Sequence, residues 1–144
     1  MIIVFFLIGC NKPYQFSDAY EFGCFPEIFP DYNGITVPYN IAPLNFELKD
    51  SCKGLFVKIS SGNGEDNFSF RTKKVCFPEK KWKEILSKSK EDTVFITIYS
   101  KKGDKWEKYK PIRFFVSKDP IDRILVYRKI MPGYQTWNTM GIYE

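Results

Sequence analysis

Cys10 is the residue best placed to do chemistry in this sequence. It closes the apolar run Ile2-Ile3-Val4-Phe5-Phe6-Leu7-Ile8 after the small residue Gly9. A short apolar segment with a small residue at the cut is what an export leader requires. Leu7-Ile8-Gly9-Cys10 looks like a lipobox, in which the cysteine sulfur takes lipid and becomes the first residue of the mature chain. The expectation is a leader over residues 1–9, truncated at its amino end because the first cation is Lys12, and membrane attachment through Cys10. The run is too short to span a bilayer, which takes about 20 apolar residues. One acyl chain holds a protein only reversibly, at ~0.8 kcal/mol per buried methylene, so several chains on this sulfur would make the anchor lasting. Asn11 follows, rather than the Asp that retains such proteins in an inner membrane, which favours the outer membrane and its periplasmic side.

Other candidates for chemistry are sparse. The sequence holds no histidine, so within these residues there is no Ser-His-Asp or Cys-His nucleophile pair, no His-ligated zinc and no CxxCH haem attachment. The carboxylate pairs Glu65/Asp66 and Glu91/Asp92 fall at expected turns, where the burial that lifts a catalytic pKa is rare. The stretch 62–67 offers loop oxygens without an ordered calcium spacing, and Gly62-Asn63-Gly64 lacks the lysine and helix of a phosphate loop. No metal, cofactor or catalytic residue is expected.

Beyond Cys10 remain Cys24, Cys52 and Cys76, an odd set with no CxxC. An oxidising compartment permits one bridge and leaves one thiol. The expected pair is Cys52–Cys76, both beside expected strands; the alternative is three small buried hydrophobes.

The 144 residues carry a net charge of +5, with 44% hydrophobic and 18% aromatic residues. Roughly 135 residues after Cys10 suffice for one domain with a core. Cations gather from Lys73 to Lys110, but they alternate with acids as a solvated face does (Lys80, Lys81 and Lys83 near Glu79 and Glu84). Nucleic acid is not the expected partner, and contact with anionic lipid or glycan is the residual reading of the basic face. Trp82, Trp106, Trp137 and nine tyrosines are expected mainly in core and interdomain packing, since most fall at periodic or turn-adjacent positions; the alternative is that their flat faces stack on a glycan.

The elements that must position these groups are mostly strands. Residues 10–34 read as an irregular, aromatic lead-in. Leu44, Phe46 and Leu48 alternate with polar neighbours, as do Leu55, Val57 and Ile59, Phe68 and Phe70, Val94, Ile96 and Ile98, and Ile112, Phe114 and Val116. Lys101-Lys102-Gly103-Asp104 suits a hairpin loop. Pro78 fits a helix start, with Trp82, Ile85 and Leu86 at i, i+3, i+4. Recurrent short strands with Gly, Asn and Pro turns predict an all-β, immunoglobulin-like β-sandwich over 35–131 with one short crossover helix. Residues 123–128 suit either a strand or a helical turn, and 132–144 form an aromatic coda.

Two stretches carry a resemblance: Phe29-Pro-Asp-Tyr-Asn-Gly-Ile-Thr-Val-Pro-Tyr-Asn-Ile-Ala-Pro-Leu-Asn-Phe46, and Asp119-Pro-Ile-Asp-Arg-Ile-Leu-Val-Tyr-Arg128 with Pro132-Gly133-Tyr134, Trp137 and Met140-Gly141-Ile142-Tyr143. Together they resemble envelope lipoproteins of Gram-negative gut anaerobes, labelled TolB-like or cytochrome-biogenesis-like, in which a small β-rich domain precedes a Tol-type β-propeller. The resemblance implies a non-enzymatic module that spaces or docks a propeller beyond Glu144, with Tyr134, Trp137, Ile142 and Tyr143 as docking residues. It supplies no catalytic residue. The competing expectations are a glycan-binding lipoprotein, and a fragment of an envelope enzyme or cytochrome-related protein whose chemistry lies downstream.

Overall fold

The computed structural model describes residues 16, 19–62, 64–124, 126–129 and 141–143. Its centre is β8 (Asp92–Lys102), the longest strand, in which Val94, Ile96, Ile98 and Ser100 are buried on one face. On one side β8 pairs antiparallel with β5 (Leu55–Ser61), which hairpins to β6 (Gly64–Phe70). On the other it pairs with β9 (Lys105–Lys108) and then β10 (Ile112–Ser117). The edge beyond is built from two short strands parallel to these, β1 (Tyr20–Glu21) beside β9 and β3 (Thr36–Pro38) beside β10.

Between β1 and β3 the chain leaves this seven-stranded sheet. β2 (Ile28–Phe29) joins a second sheet in the order β2-β4-β7, with β4 (Phe46–Leu48) and β7 (Lys74–Val75). That small sheet and α1 (Glu79–Lys88) form the layer that covers the core. Leu44, Phe46, Leu48, Val75, Trp82, Ile85 and Leu86 come from it, and Val57, Ile59, Ile96, Ile98, Phe114 and Val116 from the large sheet. The fold is an all-β sandwich with one short helix, as the alternation predicts. Within the lead-in, two short strands are recruited one to each sheet, although no period marks them.

A one-residue bulge shapes the edge. Tyr99 pairs with Lys108 and Ile96 with Ile112, so β8 advances three residues while its neighbour advances four. The extra residue falls at Tyr109-Lys110-Pro111, where proline has no N–H to give a ladder. As a result Tyr109 and Ile112, three apart, are both buried.

The helix follows its sequence signals. Pro78 is its N-cap residue, Trp82, Ile85 and Leu86 face inward, and Glu79–Lys83 and Glu84–Lys88 pair at i, i+4 on the outside. Lys90 lies beyond the helix, 3.7 Å from the centre of the Tyr39 ring. Trp82 is fully buried, stacked on Phe77 at 5.2 Å and near Phe114 at 6.0 Å. Its indole N–H finds no partner among the described residues, so shape rather than hydrogen bonding holds it. Trp82→Ala is expected to cost about 3–5 kcal/mol of stability, and Trp82→Phe clearly less because it leaves a smaller cavity. Urea midpoints of the two variants measure the contrast; equal losses would mean the N–H matters.

Candidate functional site

Three places on the molecule gather groups that packing alone does not use. The first closes one end of the sandwich. Tyr109 Oη donates to Asp50 Oδ2 at 2.7 Å, and Lys102 Nζ lies 3.0 Å from Glu107 Oε2 and 3.7 Å from Asp50 Oδ2. Burial, reinforced by the Asp50 carboxylate, pushes the Tyr109 phenol from 10.0 up to about 12, against the opposing pull of Ser100 and Lys102. Burial also raises the nearby Cys52 thiol. A phenol and a thiol held in their protonated forms are the reverse of what a base or nucleophile needs. This cluster locks the β4–β5 connection onto the bulge.

The second place is the segment that leads to the C-terminal ribbon. Ile121, Ile124, Val126 and Tyr127 are all exposed, at 53%, 62%, 62% and 51%. β11 (Tyr127–Lys129) then pairs antiparallel with β12 (Gly141–Tyr143), Tyr127 opposite Tyr143 and Arg128 opposite Ile142. Asn40 fixes where this segment departs: its Nδ2 donates to Ile121 O at 2.9 Å, and its Oδ1 accepts from Ile121 N at 2.8 Å. The two stretches that carry the resemblance therefore meet at one reciprocal amide pair. Asn33 and Asn45 act similarly, accepting from the backbone N–H of Arg113 at 3.2 Å and Phe77 at 2.9 Å.

The third is the outer face of the large sheet. Phe95 and Phe115 are each 40% exposed there, beside Phe25 and Arg113.

The residues singled out by sequence fall as follows. Cys10, Tyr134 and Trp137 lie outside the described residues. Ile142 and Tyr143 are in β12. The expected Cys52–Cys76 bridge is not formed, and Cys24, Cys52 and Cys76 are free thiols. The register explains why: Val75 faces the core opposite Phe46, which turns Cys76 outward beside Asn45, while Cys52 lies past the far end of β4. Trp82 is core and offers no stacking face, and Trp106 is half-buried against Phe16.

The acidic pairs are also engaged. Glu65 pairs with Lys58, Asp66 with Lys81 and Glu91 with Lys118, and Asp92 Oδ2 accepts from Gly62 N at 2.9 Å. No group of three metal-ligating side chains occurs among the described residues. No helix among them is long and apolar enough to cross a membrane. Compared with known protein families, curated proteins and solved structures, the chain has no match.

The Asn clamps are what sequence reasoning missed. Their side chains satisfy backbone far away in the chain, which no local pattern announces. The phenol offers a test of the sandwich end. Its folded-state pKa lies above that of a free tyrosine, so the unfolded chain deprotonates first. The Tyr109 contribution is therefore full below pH 10 and is lost as pH climbs from 10 toward 12. Chemical denaturation across that range should show a fall in stability that is smaller in Tyr109→Phe; parallel curves would refute the assignment.

Proposed function

We propose that this chain is a non-enzymatic lipoprotein module of the cell envelope, fastened through lipid on Cys10 and docking a further domain or envelope protein through its C-terminal ribbon. The observation that carries the docking is the exposed apolar approach to that ribbon. Ile121, Ile124, Val126 and Tyr127 present four large exposed apolar groups within seven residues, and a concentration of apolar side chains in water supports contact with another macromolecule. A ribbon of two strands, three residues each, is marginal in water without a third strand or a packed layer. A partner lying on it would supply that layer.

The resemblance supplies the partner's class, a Tol-type propeller, and adds Tyr134, Trp137, Ile142 and Tyr143 as its contacts. The place follows from the lipobox: the periplasmic side of an outer membrane. Docking is favoured over glycan binding because Trp82 lies in the core and because Phe95 and Phe115, the exposed rings of β8 and β10, lack the polar edge that orients a sugar.

Metabolic labelling with an alkynyl fatty acid should mark the wild type and leave Cys10→Ser unmarked; an unmarked wild type ends the lipoprotein reading. In the protein extended through whatever follows Glu144, Ile124→Ser with Val126→Ser, or Trp137→Ala, should speed protease cleavage between the domains about tenfold, the size expected for losing interface anchors. Asn40→Ala should do the same by freeing Ile121. Unchanged cleavage in all three would remove the ribbon as the docking element.

A further inference from the structure

The other uncovered surface is the outer face of the large sheet, opposite the layer that carries the helix. Alternation along β8 places Phe95, Thr97, Tyr99 and Lys101 there, and pairing adds Phe56, Lys58 and Ser60 from β5 and Arg113 and Phe115 from β10. Phe25, 52% exposed, stands at its edge and with Asn33, Phe95, Lys110, Pro111 and Arg113 lines an open depression of about 410 Å³. Three phenylalanines thus stand in water on one face of one sheet.

Charge on this face is one-sided. Its acids are committed, Glu65 to Lys58 at 2.8 Å and Glu21 to Lys108 at 2.8 Å. Arg113, Lys110 and Lys101 have no acidic partner among the described residues. Lys110 lies only loosely over Phe25, 5.9 Å from the ring centre. On the helix layer Lys81, Lys83 and Lys88 are paired, while Lys74 and Lys80 also lack an acidic partner among the described residues, so what sets the sheet face apart is cations standing beside exposed phenylalanines.

The chain's amino-terminal side is bound to the same face. Phe16 packs on Phe56 at 4.4 Å, on Tyr99 at 4.5 Å and on Trp106 at 5.2 Å. Cys10 precedes Phe16 by six residues, which at full extension reach at most roughly 20 Å. A lipid on Cys10 therefore holds Phe16, and with it the side of the molecule that bears this face, within about that distance of a bilayer, at high effective concentration.

Resting on the Cys10 reading, the geometry points to an anionic phospholipid surface as the partner of this face. Phe25, Phe95 and Phe115 enter the boundary between head groups and acyl chains, where apolar rings beside cations are stable. Arg113, Lys110 and Lys101 meet the phosphates. The sandwich then lies sheet-down on the membrane, with the helix layer directed away from it.

The test uses the full chain carrying Cys10→Ser, so that no acyl chain contributes. It is floated with vesicles of phosphatidylglycerol and phosphatidylcholine, and with phosphatidylcholine alone. Binding should appear on the anionic vesicles and weaken as salt rises. Lys110→Ala with Arg113→Ala should lower the partition coefficient roughly 25-fold, about fivefold for each cation. Phe95→Ser with Phe115→Ser should abolish flotation while circular dichroism stays unchanged, because both rings are surface groups. Lys80→Ala with Lys83→Ala, on the helix, should leave binding as it was. The proposal fails if anionic vesicles bind no protein, or if the helix pair matters as much as the sheet pair. It fails equally if the phenylalanine pair alters only self-association, read by light scattering. Acyl labelling of the wild type reports on Cys10 alone: a labelled chain whose unacylated form ignores vesicles sinks the sheet face, and an unlabelled chain sinks the anchor.

Discussion

The molecule depends on the strict period of two along β8. Val94, Ile96, Ile98 and Ser100 go to one face, and Phe95, Thr97, Tyr99 and Lys101 to the other. A slip of one residue would exchange the two sets, placing Phe95, Tyr99 and Lys101 against Trp82 and Leu86 and the β-branched row in water. Because β8 is paired along both edges, its register dictates that of β5, β9 and β10. The bulge at Tyr109-Lys110-Pro111 is the one licensed departure. It restores inward alternation for Ile112, Phe114 and Val116 after the hairpin has delivered Tyr109 to Asp50.

Elements with a complete period were legible from the residues. Leu55-Val57-Ile59, Val94-Ile96-Ile98 and Ile112-Phe114-Val116 each write one buried face, and Trp82-Ile85-Leu86 writes a helix stripe. β1, β2 and β3 were not legible as strands, since two or three residues cannot display a period. They exist because β9, β4 and β10 offer them open edges. The ambiguity at residues 123–128 ended in a strand beginning at Tyr127, through pairing with residues far along the chain. The tryptophans read as packing rather than stacking groups, and Trp82 is core. Whether an indole faces water is decided by the layer across from it, and for Trp82 that layer includes Phe77 and Phe114.

Polar residues divide along the same line. Lysines and acids between Lys73 and Lys110 alternate in sequence, and many of them pair in space, as Lys73 does with Glu47 at 2.6 Å and Lys81 with Asp66 at 2.9 Å. Exposed pairs of this kind contribute little to stability, about 0–1 kcal/mol each. Their effect is on the field: they neutralise Lys81, Lys83 and Lys88 on the helix and leave Arg113, Lys110 and Lys101 on the outer sheet face, and Lys74 and Lys80 on the other layer, without an acidic partner among the described residues. The total of +5 conveys nothing about which cations are left over. Cysteine placement is equally a matter of register, because Cys76 turns outward for the same reason that Val75 turns inward.

The three asparagines connect fold to proposed role. Asn33 holds the backbone of β10, Asn45 that of Phe77 ahead of the helix, and Asn40 that of Ile121. Each lies in the turn-rich stretch after the lead-in crosses between sheets, where backbone groups have no ladder neighbour and a side-chain amide supplies both a donor and an acceptor. An aspartate could accept but not donate, so it could not reproduce the reciprocal pair at Ile121. That pair makes the exit of the C-terminal ribbon a fixed feature of the sandwich edge. Force or orientation imposed on the ribbon by a partner would pass through Asn40 to β3, and from β3 across three parallel register pairs to β10, whose Arg113 and Phe115 face the proposed membrane side. A rigid sandwich clamped this way holds its two uncovered surfaces in one geometry, which is what a spacer between a membrane and a docked domain needs.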